Sequence, residues 1–211
     1  YRHPKTPMRL CSIPSLIAAV LRGSTGLALA AGLLLTSPLV LAQSPPVGLL
    51  PAQEVTLRRA EEALLHRKLD LRGLRRLSGG QFVPEAAPRA RLLLVHIWAV
   101  ECRPCIEEMP VLRRIFESLS TTSNVTPLLI SETADIPKLL AFLQQNRATV
   151  PSVPQYQSTG EQLRASLQNY SQPTTLLVDE RGIIREAFLG SLRTRRSELA
   201  DALYRLIKAT Q

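Results

Sequence analysis

Residues 92–97, Leu-Leu-Leu-Val-His-Ile, form a nearly unbroken apolar run that leads straight into Trp98-Ala99-Val100-Glu101-Cys102-Arg103-Pro104-Cys105. A run of this kind, without alternation, reads as a strand covered on both faces, so helices must lie above and below a sheet. The segment opening at Cys102 reads as a helix with Pro104 in its first turn. Proline is tolerated there because the N–H it lacks would have had no intrahelical partner. A buried strand therefore delivers two cysteines, three residues apart, to a helix N-terminus. That end offers unpaired N–H groups and the positive pole of the helix dipole, and both favour a thiolate over a thiol. Cysteines so spaced and so placed can exchange electrons through one disulfide.

What precedes this region reads as a leader over 1–42. Arg2, Lys5, Arg9 and Arg22 form a basic region without an acidic residue, and 23–42 carry no charge, centred on the Leu- and Ala-rich stretch 27–35. Pro38 follows, with Val40 and Ala42 at the −3 and −1 positions of a cleavage site. This is the layout of a secretory signal peptide. The uncharged stretch is also near the roughly 20 residues that span a bilayer, so an uncleaved N-terminal membrane anchor is the other reading. Both readings place everything after residue 42 outside the cytoplasm, periplasmic or otherwise extracytoplasmic, because the basic residues stay inside. Cys11 falls within the leader.

The formal charge of +9 over 211 residues shrinks once the leader is set aside. Four of the 26 Lys and Arg belong to it, which leaves 22 against 17 acidic residues. The remaining Arg residues are scattered, as at Arg58-Arg59, Arg75-Arg76 and Arg113-Arg114, with no aromatic residues interleaved. They read as solvated faces and not as a nucleic-acid footprint.

Residues 43–70 read as a linker, rich in proline at Pro45, Pro46 and Pro51, followed by a helix over 54–69. A domain follows over 71–211. Within it, 73–88 hold at most a short strand at 81–83, and 92–98 form the buried strand. A helix is expected over 102–120, with a kink at Pro110 because proline breaks the hydrogen-bond ladder. A strand at 125–131 precedes a helix over 134–146 with Asp135 as its N-cap. Pro151 and Pro154 mark a loop, and a short helix is expected over 161–170. Strands at 174–179 and 183–189 flank a turn at Asp179-Glu180-Arg181-Gly182. A helix over 197–208 closes the chain. The fold class is α/β, a central mixed sheet flanked by helices.

At this point the sequence resembles the thioredoxin superfamily, most closely its exported TlpA/ResA-like branch. The matching pieces are Trp98-Ala99 ahead of Cys102-Arg103-Pro104-Cys105, then Glu108-Met109-Pro110, then Gln172-Pro173-Thr174-Thr175 leading into Leu176-Leu177-Val178-Asp179. The likeness covers about 71–211. It implies a thioredoxin fold and a cis peptide before Pro173, with Pro173 and Gln172 lying against the cysteine pair where a client chain is bound. It also implies that Glu108 handles protons near the thiols. Two departures stand out. Relatives often carry an aromatic residue before the first cysteine, where this chain has Glu101. Thioredoxins usually carry a buried carboxylate six residues before that cysteine, and the branch often has Asn there, where this chain has His96.

The site expected from these readings has Cys102 as nucleophile and Cys105 as resolving thiol. Arg103 and Pro104 sit between them and tune thiolate stability. The Arg103 charge favours the thiolate, whereas Glu101 should raise the Cys102 pKa. Trp98 packs under the motif and is a second candidate for client contact, and His96 is a satisfied core histidine or a proton carrier. The alternatives are a static disulfide, or half of a zinc site for which only His66 and His96 remain as nitrogen ligands beyond the leader. No metal and no cofactor beyond the Cys102–Cys105 redox pair is expected. The activity that the resemblance implies is thiol–disulfide exchange on client proteins with thiols or disulfides. It would reduce them in cytochrome c maturation or at metal-site cysteines, fed by a membrane electron donor. An oxidant of folding clients, a copper chaperone, or a binding module with a structural disulfide remain the other readings.

Overall fold

The computed structural model describes residues 51–119, 124–168 and 170–209. The leader expected at 1–42 and most of the proline-rich linker lie outside them. The chain runs α1 (Pro51–Glu62), β1 (Arg75–Ser78), β2 (Gln81–Pro84), β3 (Leu92–Trp98), α2 (Arg103–Leu119), β4 (Val125–Ser131) and α3 (Ile136–Gln145). It continues with β5 (Gln155–Gln157), α4 (Glu161–Leu167), β6 (Thr174–Asp179), β7 (Ile184–Leu189) and α5 (Arg196–Ala209).

The apolar run is β3, and every one of its side chains is buried. It lies inside a seven-stranded sheet of order β2-β1-β5-β4-β3-β6-β7. Strand β3 runs parallel to β4 and antiparallel to β6, so the sheet is mixed, as expected. Strand side chains alternate between faces. Leu92, Leu94 and Trp98 pack with Met109, Leu112 and Phe116 of α2, Leu139 of α3 and Leu199 and Leu203 of α5. Leu93, Val95 and Ile97 pack on the other face with Leu163 and Leu167 of α4, against which Leu57 and Ala60 of α1 also rest. Each fully buried Leu, Ile or Phe contributes roughly 1.5–3 kcal/mol, so this double layer holds the strand ends firmly.

The structure departs from the sequence reading at four places. The helix expected over 54–69 stops at Glu62. Beyond it, His66 takes a positive φ and donates its N–H to Ile184 O, Ile184 N–H donates to Arg67 O, and Lys68 bridges Ile183. Pairing with the outer edge of β7 overrides the helical propensity of that stretch. Strand β1 was not expected. Gly79 and Gly80, both at positive φ, make the two-residue turn that joins it to β2. Strand β5 forms where a loop was expected and stitches β1 to β4. Finally, α4 ends at Leu167, because Gln168 adopts a positive φ. Helix α2 passes through Pro110, which removes one ladder bond without ending the helix. Asp135 caps α3 by accepting from Lys138 N–H, as expected. Among the described residues, no helix is long and apolar enough to cross a membrane.

Candidate active site

The paired strands β3 and β4 end side by side, Trp98 opposite Ser131, and the cysteine motif rises from that edge. In open α/β sheets this carboxyl end of parallel strands is where sites are usually built. Cys102 is half-buried and Cys105 is fully buried, and the two are joined in a disulfide with Cα atoms 5.3 Å apart. The Cys105 backbone N–H points at Cys102 Sγ, 3.3 Å away, which is the helix-end donation expected of the motif.

The turn before Cys102 is tied to the corner that follows β4. Val100 N–H donates to Thr133 Oγ1 at 2.8 Å, and Thr133 Oγ1 donates to Glu101 Oε2 at 3.3 Å. Glu101 also accepts from Lys138 Nζ at 2.9 Å, and this bond holds its carboxyl below the usual range. The opposition expected between Glu101 and the Cys102 thiolate is therefore softened, because the glutamate charge has its own counter-ion. Arg103 is 89% exposed and donates to Glu107, which Arg193 also approaches. Exposed pairs of this kind contribute little, so neither flanking charge dominates the sulfur. Pro104 is exposed in the first turn of α2.

Beneath the motif lies a buried polar chain. Glu108 is one turn past Cys105 and fully buried. Its Oε2 accepts from Ser191 Oγ and from Leu192 N–H, both at 2.7 Å. Its Oε1 faces His96 Nε2 at 3.4 Å. His96, also fully buried, places Nδ1 2.9 Å from Thr175 Oγ1, its direct cross-strand partner on β6. Burial pushes the Glu108 carboxyl up, against the pull of Ser191, Leu192 N–H and Arg193. Burial pushes the His96 imidazole down to about 3. Both groups thus favour their neutral forms.

The third part of the site is the loop before β6. The Gln172–Pro173 peptide is cis. Thr174 pairs with Ile97, so continuing that register brings Pro173 opposite Trp98, at the same end of the sheet as the cysteines. Gln172 is half-buried, and its Nε2 donates to Glu132 Oε2 at 2.6 Å; Tyr170 OH donates to Glu132 Oε1. Glu132 N–H in turn donates to Trp98 O at 2.9 Å. Trp98 itself is 1% exposed and rests against Phe142 with ring centroids 5.4 Å apart. It is placed as core and offers no surface to a client in this state.

The structure thus brings Cys102, Cys105, Glu108 and His96 to one end of the sheet and sets Gln172-Pro173 beside Trp98. It leaves Arg103, Pro104 and Glu101 on the exposed rim. Sequence reasoning missed Thr133, Glu132, Thr175 and Ser191. Thr175 carried a faint signal, because it closes the Gln172-Pro173-Thr174-Thr175 motif. Ser191 carried none, since only the tertiary fold brings it to Glu108.

No family model matches this chain. A thioredoxin-like protein of Bacillus subtilis, YneN, is 25% identical over 126 residues, covering 59% of this chain and 71% of the relative. Among solved structures, a candidate thiol:disulfide interchange protein DsbE from Chlorobium tepidum superposes with a TM-score of 0.55 at 15% identity, covering 68% of this chain and 99% of that one. A thioredoxin-like protein from Porphyromonas gingivalis gives 0.52 at 16% identity, covering 68% and 94%. At those identities the structures speak for the fold. The chain has the thioredoxin fold, and in sequence it is similar to a thioredoxin-like protein.

Proposed function

We propose that this protein is an exported thiol–disulfide oxidoreductase that reduces disulfides in client proteins. The observation that carries the reading is the asymmetry of the cysteine pair at the start of α2: Cys102 is reachable from solvent and Cys105 is sealed. Such a pair supports a two-step exchange. In the reduced enzyme the Cys102 thiolate attacks a client sulfur, a mixed disulfide forms, and one client cysteine leaves as thiolate. The Cys105 thiol then loses its proton and attacks Sγ of Cys102, and the second client thiolate departs. The enzyme is left as the closed disulfide, and two electrons have passed to the client. The redox group is the cysteine pair itself, and the reading invokes no other cofactor.

The reducing direction, export by the leader and refilling by a membrane electron donor follow from the resemblance to the TlpA/ResA-like branch. So does the client class, apocytochrome c or proteins with metal-site cysteines. The cis Gln172–Pro173 peptide, at the same end of the sheet as the cysteines, supports client binding beside the pair. Cys105→Ser tests the reading. With a disulfide-bearing protein it should accumulate a covalent mixed disulfide through Cys102 that wild type resolves, and Cys102→Ser should form none. A Cys105→Ser variant that forms no adduct would contradict the reading and leave a binding module with a structural disulfide.

A further inference from the structure

Two of the fully buried polar atoms in this site that have no hydrogen-bond partner among the described residues, His96 Nε2 and Glu108 Oε1, face each other at 3.4 Å. Every other polar atom of the two side chains is engaged. Glu108 Oε2 accepts two donors, Ser191 Oγ and Leu192 N–H, and so is the oxygen that does not carry a proton. His96 Nδ1 is held by Thr175 Oγ1. Leaving both facing atoms unpaired inside the protein would cost each of them its full desolvation penalty. A single shared proton between them satisfies both.

We propose that His96 is a positioning residue for thiol–disulfide exchange, sharing a proton with Glu108, the carboxyl that the resemblance gives as the proton handler for the thiols. The proposal rests on that reading and on the redox reading above, and adds the histidine to them. His96 Nε2–H donates to Glu108 Oε1, and the Thr175 hydroxyl, which can donate as readily as accept, donates to Nδ1. Oε1 can accept from Nε2–H both as a carboxylate and as an oxygen of the protonated carboxyl, so the imidazole keeps one tautomer and the carboxyl alone gains and loses a proton. A carboxylate sealed from water thus keeps a donor in both proton states.

In the mixed disulfide, Cys105 still carries its proton. Glu108 lies one turn further along the same face of α2, and both side chains are fully buried. The ionised pair takes the Cys105 proton onto Glu108 Oε1. The Cys105 sulfur forms a bond to Sγ of Cys102, the bond from that sulfur to the client breaks, and its electron pair leaves with the client thiolate. The charged and titratable groups around the pair are few. Arg193 acts on Glu108 from the loop before α5, Cys105 lies on α2, and Thr175 faces His96 from β6.

The test follows the reduced protein reacting with an aromatic nitrobenzoate disulfide whose thiolate is coloured on release. The first release reports attack by Cys102, and the second reports displacement by Cys105. In His96→Leu the first phase should keep its rate. The second should slow about tenfold at neutral pH, with its pH midpoint moved to the alkaline side, because general-base assistance is lost. His96→Gln, which still aims an N–H at Glu108, should recover most of that rate. A second-phase profile in His96→Leu that superimposes on wild type would overturn the proposal. Wild type lacking a second release would overturn the redox reading and this proposal with it, whereas a normal wild-type second phase with no effect of His96 overturns the proposal alone. Nitrogen-15 NMR of histidine-labelled wild type reads the same claim without a variant. His96 should be neutral at neutral pH, with its proton on Nε2 in both redox states. A charged His96, or a proton on Nδ1, would overturn it.

Discussion

His96 and Glu108 are twelve residues apart, on a strand and on a helix, and each alone would read as an expensive buried group. Together they make a pH-dependent contribution to stability. In the unfolded chain the carboxyl titrates near 4.5 and the imidazole near 6.5. In the fold the imidazole is pushed down to about 3 and the carboxyl up. The lowered imidazole makes stability rise with pH between about 3 and 6.5, because there the unfolded chain binds the extra proton. The raised carboxyl works the other way from about pH 4.5 upward, because there the fold binds the extra proton. Below about pH 4.5 only the imidazole acts, and stability falls as the solution is made more acid. Urea unfolding of the oxidised protein against the double variant His96→Gln, Glu108→Gln should show a difference that rises up to about pH 4.5, by up to about 1.4 kcal/mol per pH unit, and then flattens. A difference that keeps its slope from acid to neutral pH would mean that the carboxyl is not raised. The cysteines, the cis proline and Glu108 were legible in the sequence because the motif and its resemblance name them. The contact with His96 was not, because only the packing of α2 on β3 decides which atoms meet.

Helix α1 illustrates what an element needs besides propensity. Glu61 is 5% exposed, accepts Leu189 N–H from β7 at 2.8 Å, and is bound by both terminal nitrogens of Arg195, just before α5. Arg195 in turn lies over the Phe188 ring, 5.1 Å from its centre. The helix is thus fixed to the sheet edge by a buried charge pair with its hydrogen bonds filled. Glu61→Ala should lower the unfolding free energy by roughly 3 kcal/mol, because it strands a largely buried guanidinium and an amide. Glu107→Ala, which breaks only exposed pairs with Arg103 and Arg193, should change it by less than about 0.5 kcal/mol. Equal effects in a denaturant titration would refute that ranking. The loop at Gln172 depends on Glu132 in a similar way. Glu132→Ala should raise KM for a disulfide-bearing protein about tenfold, equivalent to about 1.4 kcal/mol, and leave the first-phase rate with the small aromatic disulfide unchanged. Equal losses on both substrates would show that Glu132 supports the fold generally. Legibility differed among elements for physical reasons. Strand β3 announces itself through its apolar run. Strand β1, with Arg75 and Arg76 in four residues, and β5, only three residues long, are strands because neighbours pair with them.

At the scale of the whole molecule, one mixed sheet, packed on both faces, brings three separate segments to the same end: the cysteine turn after β3, the Glu132–Thr133 corner after β4, and the cis-proline loop before β6. The strand ends fix where each of these segments begins, and so set the three beside one another. The central claim is that Cys102 and Cys105 cycle between disulfide and dithiol. The most direct measurement is the reduction potential of the pair, by equilibration of the full chain with a graded thiol redox buffer. The account predicts full, reversible reduction in the reducing part of the range, near the roughly −270 mV of thioredoxin. A value near about −120 mV would keep the cycling and reverse its direction, toward oxidation of clients. A pair that stays oxidised below about −300 mV would behave as a structural bridge and contradict the account.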